Sequence, residues 1–155
     1  MSRFPVAATL AALVLSLAAG AARAEDKTSA GKVKATAKAT KPDADGNQTV
    51  TITLAVEDSW HLYANPVGND MLKSAQTAVT FTTKLEGKPE ITYPAGKVHP
   101  DKDVGDYKIY EGKVVIKAKV RRKKGDTAPL ALTVKLQTCT DKTCLLPAKI
   151  KLTAE

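Results

Sequence analysis

Leu130-Ala-Leu-Thr-Val-Lys-Leu136, then Gln137-Thr-Cys-Thr-Asp-Lys-Thr-Cys144-Leu-Leu-Pro147, then Ala148-Lys-Ile-Lys-Leu152, is the stretch that decides the fold. Leu130, Leu132, Val134 and Leu136 alternate with short or charged residues, the period-two pattern of a strand with one buried face. Ala148, Ile150 and Leu152 repeat it on the far side. The segment therefore reads as two strands joined by a connection with a cysteine at each foot, close enough in a hairpin for a disulfide. The buried positions of the first strand are even-numbered, so regular continuation turns Cys139 away from the sandwich interior and toward partners.

The same alternation runs outward along the chain. Val33, Ala35, Ala37 and Ala39 alternate with Lys and Thr; after the turn formers Pro42-Asp-Ala-Asp-Gly-Asn47 come Val50, Ile52, Leu54 and Val56. Val79 and Phe81 lie among threonines, Ile91-Thr-Tyr93 is short, and Val114, Ile116, Ala118 and Val120 lead to the turn Arg122-Lys-Lys-Gly-Asp126. About seven short strands, frequent turns and almost no helical period predict an all-β antiparallel sandwich. Residues 95–106 read as one long polar loop, the kind of segment that carries sites.

Residues 1–24 read as a secretory signal peptide: an apolar run after Arg3, closed by Ala22-Arg-Ala24. That run is shorter than the ~20 residues needed to span a bilayer, so no membrane insertion is expected after cleavage, and a periplasmic or secreted location follows. Residues 25–31 read as a flexible leader and 32–155 as one domain. The chain has 24 basic and 16 acidic side chains. Removing Arg3 and Arg23 leaves 22 basic against 16, a surplus of six. These cations mostly alternate with apolar residues along strands, the pattern of solvated sheet faces and not of an aromatic-laced nucleic-acid surface.

Two thiols and no third, in an export compartment, point to a dithiol/disulfide pair. Closing a loop of about six residues removes only roughly 2 kcal/mol of unfolded-chain entropy, which favours chemistry over stapling. Exchange needs a thiolate with access and a tuned pKa, and no cofactor. Lys142 between the cysteines favours a thiolate and Asp141 opposes it. A permanent structural disulfide in a secreted binding module, with loops 65–70 and 96–106 as the binding surface, is the alternative. Cys139, Cys144, His61 and His99 also form a nominal Cys₂His₂ set, but their spacing matches no zinc module, and no metal is expected.

Trp60-His-Leu-Tyr-Ala-Asn-Pro-Val-Gly68, Tyr93-Pro-Ala-Gly-Lys97, the run 99–111 ending Lys108-Ile-Tyr-Glu, and Cys139-Thr-Asp-Lys-Thr-Cys144-Leu-Leu-Pro147 occur together in this order. In this the chain resembles the periplasmic N-terminal domain of the thiol:disulfide interchange protein DsbD, over about residues 32 to 153. The resemblance implies an immunoglobulin-like sandwich whose cysteines take electrons from a thioredoxin-like partner and pass them to oxidised proteins. It assigns the partner-bonding cysteine to Cys144 and the resolving one to Cys139. It further implies a cap loop at about His99 to Asp106, including Asp101 and Asp103, and an aromatic cluster of Trp60, His61 and Tyr63. Family members carry an aromatic residue at the cap tip. Here the stretch is Asp101-Lys-Asp-Val-Gly105, which leaves either a poorer shield or Tyr107 in its place. The large family proteins continue into a membrane conduit and a thioredoxin-like domain, so a membrane electron-transfer protein acting in trans is the expected source of electrons.

Overall fold

The computed structural model describes residues 27–155; the expected signal peptide, 1–24, lies outside them. In chain order the strands are β1 (Val33–Ala39), β2 (Asn47–Val56), β3 (His61–Tyr63), β4 (Ala78–Phe81), β5 (Glu90–Thr92) and β6 (Lys97–His99). They continue as β7 (Tyr107–Tyr110), β8 (Lys113–Arg121), β9 (Leu130–Leu136), β10 (Thr138–Cys139) and β11 (Ala148–Ala154). All strand pairing is antiparallel, in three sheets ordered β1-β2-β8-β5, β11-β9-β4 and β10-β3-β7-β6.

The first two sheets are the sandwich. Val50, Ile52 and Leu54 of β2, Ile116 and Ala118 of β8, and Leu130, Leu132, Val134 and Leu136 of β9 meet in one core. Their alternation makes this possible, since every second residue of a strand faces the same side. Ile52 and Ile116 are ladder partners and both are fully buried. Such a side chain contributes about 1.5–3 kcal/mol over leaving it in water. The immunoglobulin-like antiparallel sandwich is thus the fold, and the cysteine connection joins its last two long strands as expected.

Two boundaries differ from the sequence expectation. The strands are more numerous because β3, β6 and β10 are only two or three residues long, too short to show a period. One of them, β6, falls inside the expected loop 95–106. Being an edge strand, it leaves Lys97 and Val98 exposed, so composition marked it as loop. At the N-terminus, the expected leader 25–31 enters the fold by Thr28. Ser29–Lys32 form a 3-10 turn in which Ser29 is fully buried.

Ser29 is held there by both ends of the cysteine connection. Its amide and hydroxyl donate to the Leu146 carbonyl at 2.9 and 2.8 Å, and its Oγ accepts the Thr138 amide at 2.9 Å. One small polar residue therefore satisfies backbone groups on either side of the disulfide, which burial would otherwise penalise.

Candidate functional site

The site is one face of the small sheet. After Leu136 the chain leaves β9 and pairs with β3 instead, matching Thr138 with Leu62 and Cys139 with His61. Residues directly opposite in an antiparallel ladder point to the same side. Thr138 and Leu62 thus turn to the main core, while Cys139, His61 and Tyr63 turn the other way. On that second side, Tyr63 pairs with Ile109, and Tyr107 with His99.

The parity expected for Cys139 holds, but its consequence does not. The side away from the main core is covered by a second cluster of Tyr63, Val67, Tyr107 and Ile109, with Leu72, Ala75 and Val104 packed against it. Cys139 is 2 % exposed. Beyond it, the Thr140 amide bonds to the Thr143 carbonyl and closes a tight turn. This brings back Cys144, which is exposed and disulfide-bonded to Cys139. The accessible sulfur is Cys144, not Cys139.

The Tyr63 hydroxyl reaches both sulfurs, 3.6 Å from Cys139 Sγ and 3.9 Å from Cys144 Sγ. A disulfide sulfur has no proton, so the hydroxyl is the donor. Burial, and secondarily the Asp101 charge, raise the Tyr63 pKa above its ordinary value. The phenol therefore keeps its proton and can donate to whichever sulfur becomes a thiolate, which favours the charged form.

Four rings extend from this point. Tyr63 and Tyr107 have centroids 5.5 Å apart, Tyr107 and His99 5.0 Å, and His99 and His61 5.6 Å. Tyr107 is buried within this stack, beside the disulfide and beneath the loop that follows β6. That loop is shaped by Asp101, whose Oδ1 accepts the amides of Asp103 at 2.8 Å and Val104 at 3.0 Å. These amide bonds hold the Asp101 carboxyl below its ordinary pKa. The Asn69 side chain ties the loop from the other side by donating to the Val104 carbonyl at 2.8 Å. Asp103 is exposed.

Val104 escaped the sequence reading. It is the single apolar residue in the polar run 101–106, and that isolation was the available signal. Trp60 lies elsewhere: its ring packs on the main core with Lys32 Nζ 5.6 Å above it. His61 and Tyr63 are buried, at 4 % and 9 % exposure. Tyr63 belongs to a second core that a single-core reading does not anticipate, and His61 packs its ring against Tyr63 and His99 beside it. The nominal Cys₂His₂ set is not assembled: the sulfurs are bonded to each other, and no group of three potential ligands forms among the described residues.

His61 gives a pH signature. Burial first, and the neighbouring His99 second, lower its pKa from 6.5, against smaller opposite effects of Asp141 and Glu111. Its Nε2 is buried without a hydrogen-bond partner. The unfolded chain binds this proton at a higher pH than the folded one does, so stability falls as pH drops below about 6.5 and levels off beneath the folded pKa. The thermal midpoint should fall over that window in the native protein, and H61F should flatten the fall.

A sandwich bearing a disulfide with one open and one buried sulfur, and a phenol held on both, defines a thiol–disulfide exchange domain. The family model for the N-terminal part of the thiol:disulfide interchange protein DsbD matches residues 27–154, and the chain belongs to that family. Among solved structures, the N-terminal periplasmic domain of ScsB from Proteus mirabilis superposes with a TM-score of 0.57 at 17% identity, covering 78% of this chain and 44% of that one. The reduced DsbD N-terminal domain of Neisseria meningitidis gives 0.46 at 16% identity, over 76% of this chain and 82% of that chain. The complex between the DsbD N-terminal and PilB N-terminal domains from the same organism gives 0.47 at 15%, over 76% and 80%. No curated protein matches the chain.

Proposed function

We propose that the protein is an exported, periplasmic or secreted carrier that relays electrons from a thioredoxin-like reductant to oxidised protein partners through Cys139 and Cys144. A membrane electron-transfer protein acting in trans would recharge the reductant. The observation that carries this reading is the asymmetry of the disulfide, with Cys144 exposed and Cys139 buried under Tyr63. A partner thiolate attacks Cys144 Sγ, the only open sulfur. The disulfide breaks, and Cys139 leaves as a thiolate that accepts the Tyr63 hydrogen bond and then a proton. The partner's second thiolate attacks its own sulfur in the mixed disulfide and releases the Cys144 thiolate. The partner ends as a disulfide and this protein as a dithiol; delivery to an oxidised protein is the same sequence reversed. His61, His99 and Tyr107 pack around Tyr63, while Asp101 and Val104 form the cap.

The relatives support this reading as members of one family, and one of them is described in complex with a PilB domain. The test is the reduction potential together with direct reduction by a thioredoxin-like domain. A potential above about −300 mV with rapid transfer is expected. A more reducing pair that a thioredoxin-like domain leaves untouched would instead make it an inert staple in a binding module.

A further inference from the structure

The outer face of the sheet β1-β2-β8-β5 carries a cationic array. The register places Lys34, Ala55 and Lys113 in one row across β1, β2 and β8, and Lys38, Thr51 and Lys117 in another. Lys119 and Arg121 continue the β8 column, opposite Thr49 and Asn47. All six cations are exposed, because the alternate positions of the same strands are the sandwich core. Lys34 and Lys113 are two strand spacings apart, about 10 Å, and the two rows are about 13 Å apart along the strands.

Among the described residues, acids meet this array only at its Lys119 and Arg121 end, where Glu86, Asp43 and Glu90 line the same depression as those two cations, and the Lys34, Lys38, Lys113 and Lys117 side chains have no ion pair. Glu90 of β5 pairs with Lys119 at 3.7 Å, with both side chains at least 70% exposed, so it neutralises little. Between the cations lie Thr36, Thr49, Thr51 and Thr53, with Val115 exposed in the β8 column between Lys113 and Lys117. The sandwich's other outer face is weaker: Lys149 and Lys151 are exposed, while Lys135 is half-buried and donates to the Ser74 carbonyl at 2.6 Å.

From this we infer that the face docks the protein on a membrane surface bearing anionic phospholipid headgroups. An array of unpaired lysines on one face complements a surface of negative headgroups, and each lysine near such a surface adds attraction that salt screens. The shape and composition disfavour nucleic acid. The array has no aromatic side chain for base stacking and no helix or ribbon that enters a groove. The disulfide lies on a different sheet, and Cys144 is not part of the array. A docked molecule therefore keeps its reactive sulfur free. The inference is independent of the exchange chemistry.

The test is cosedimentation of the exported protein with phosphatidylcholine vesicles containing phosphatidylglycerol, and with pure phosphatidylcholine vesicles, at low and high salt. Binding to the anionic vesicles alone, lost at high salt, is expected. The fourfold variant K34Q/K38Q/K113Q/K117Q should bind on the order of a thousandfold more weakly, whereas K149Q/K151Q on the opposite face should bind nearly as the parent does. These exposed positions leave the core intact, and an unchanged melting temperature and rate of disulfide reduction verify that. The inference is overturned if the parent ignores anionic vesicles at low salt, if the two variants lose binding equally, or if duplex DNA competes the protein off the vesicles at matched charge.

Discussion

Cys144→Ala should abolish thiol–disulfide exchange, and Cys139→Ala should turn the domain into a trap that accumulates mixed disulfide through Cys144. Both variants lose the same short cross-link, which stabilises the fold by roughly 2 kcal/mol. A difference in their reactivity therefore cannot come from a difference in the link removed. What differs is position. Cys144 is exposed at the far foot of the tight turn, whereas Cys139 is 2 % exposed beneath Tyr63 and the ring stack. In-line attack on a disulfide needs open space along the S–S axis beyond the attacked sulfur. Incubating each variant with an oxidised thioredoxin-like domain and resolving the products without reductant measures both outcomes. A rate difference of orders of magnitude in favour of the Cys144 thiol is expected; equal rates would mean that burial of Cys139 does not direct the chemistry.

The same asymmetry explains the support around the pair. A buried Cys139 thiolate would be costly without a donor, since desolvation disfavours a charged sulfur. Tyr63 is aimed at it by the β3 ladder, and its own burial keeps the phenol protonated. Ser29, from the start of the domain, fixes Thr138 and Leu146 on the two sides of the turn. The pair is thus held by backbone bonds at both feet while one sulfur remains open.

The long strands were legible because they are half-buried: β2, β8, β9 and β11 bury one face and show a full period of two. The cysteine pair was legible from its spacing. The small sheet was not, because its strands bury both faces at once. His61, Leu62 and Tyr63 are all buried, Leu62 in the main core, Tyr63 in the second and His61 beside it, so no alternation survives. Periodicity detects one wet side and one dry side, and β3 has two dry sides. The exposure of the cysteines was misjudged for the same reason: turning away from one core placed Cys139 in another. The hydrogen bonds that Asp101 accepts from the Asp103 and Val104 amides required coordinates.

The small sheet also has a weak point where a single methyl group should be felt. Gly96 precedes β6, and a Cβ there would lie 2.6 Å from the Ala64 Cβ and 2.8 Å from the Lys108 Cβ, with the Ile109 carbonyl at 3.3 Å. Neither close neighbour is the far end of a flexible chain; both are first atoms fixed to backbone. Ala64 is fully buried and its amide donates to the Lys108 carbonyl at 2.9 Å, so it cannot yield without moving β7. The remaining route for Gly96→Ala is to lift β6 from β7, and β6 carries His99 onto Tyr107. Overpacking of this kind costs about 1–3 kcal/mol. The melting temperature should fall accordingly, while A95S at the exposed neighbouring position should leave it unchanged. With the ring stack loosened, Cys139 becomes open to attack, so a small reductant such as glutathione should be found on both cysteines by peptide mapping instead of on Cys144 alone. Modification confined to Cys144 in a destabilised Gly96→Ala protein would show that the stack does not shield Cys139, and the burial of that sulfur would then rest on the β3 ladder and Tyr63 themselves.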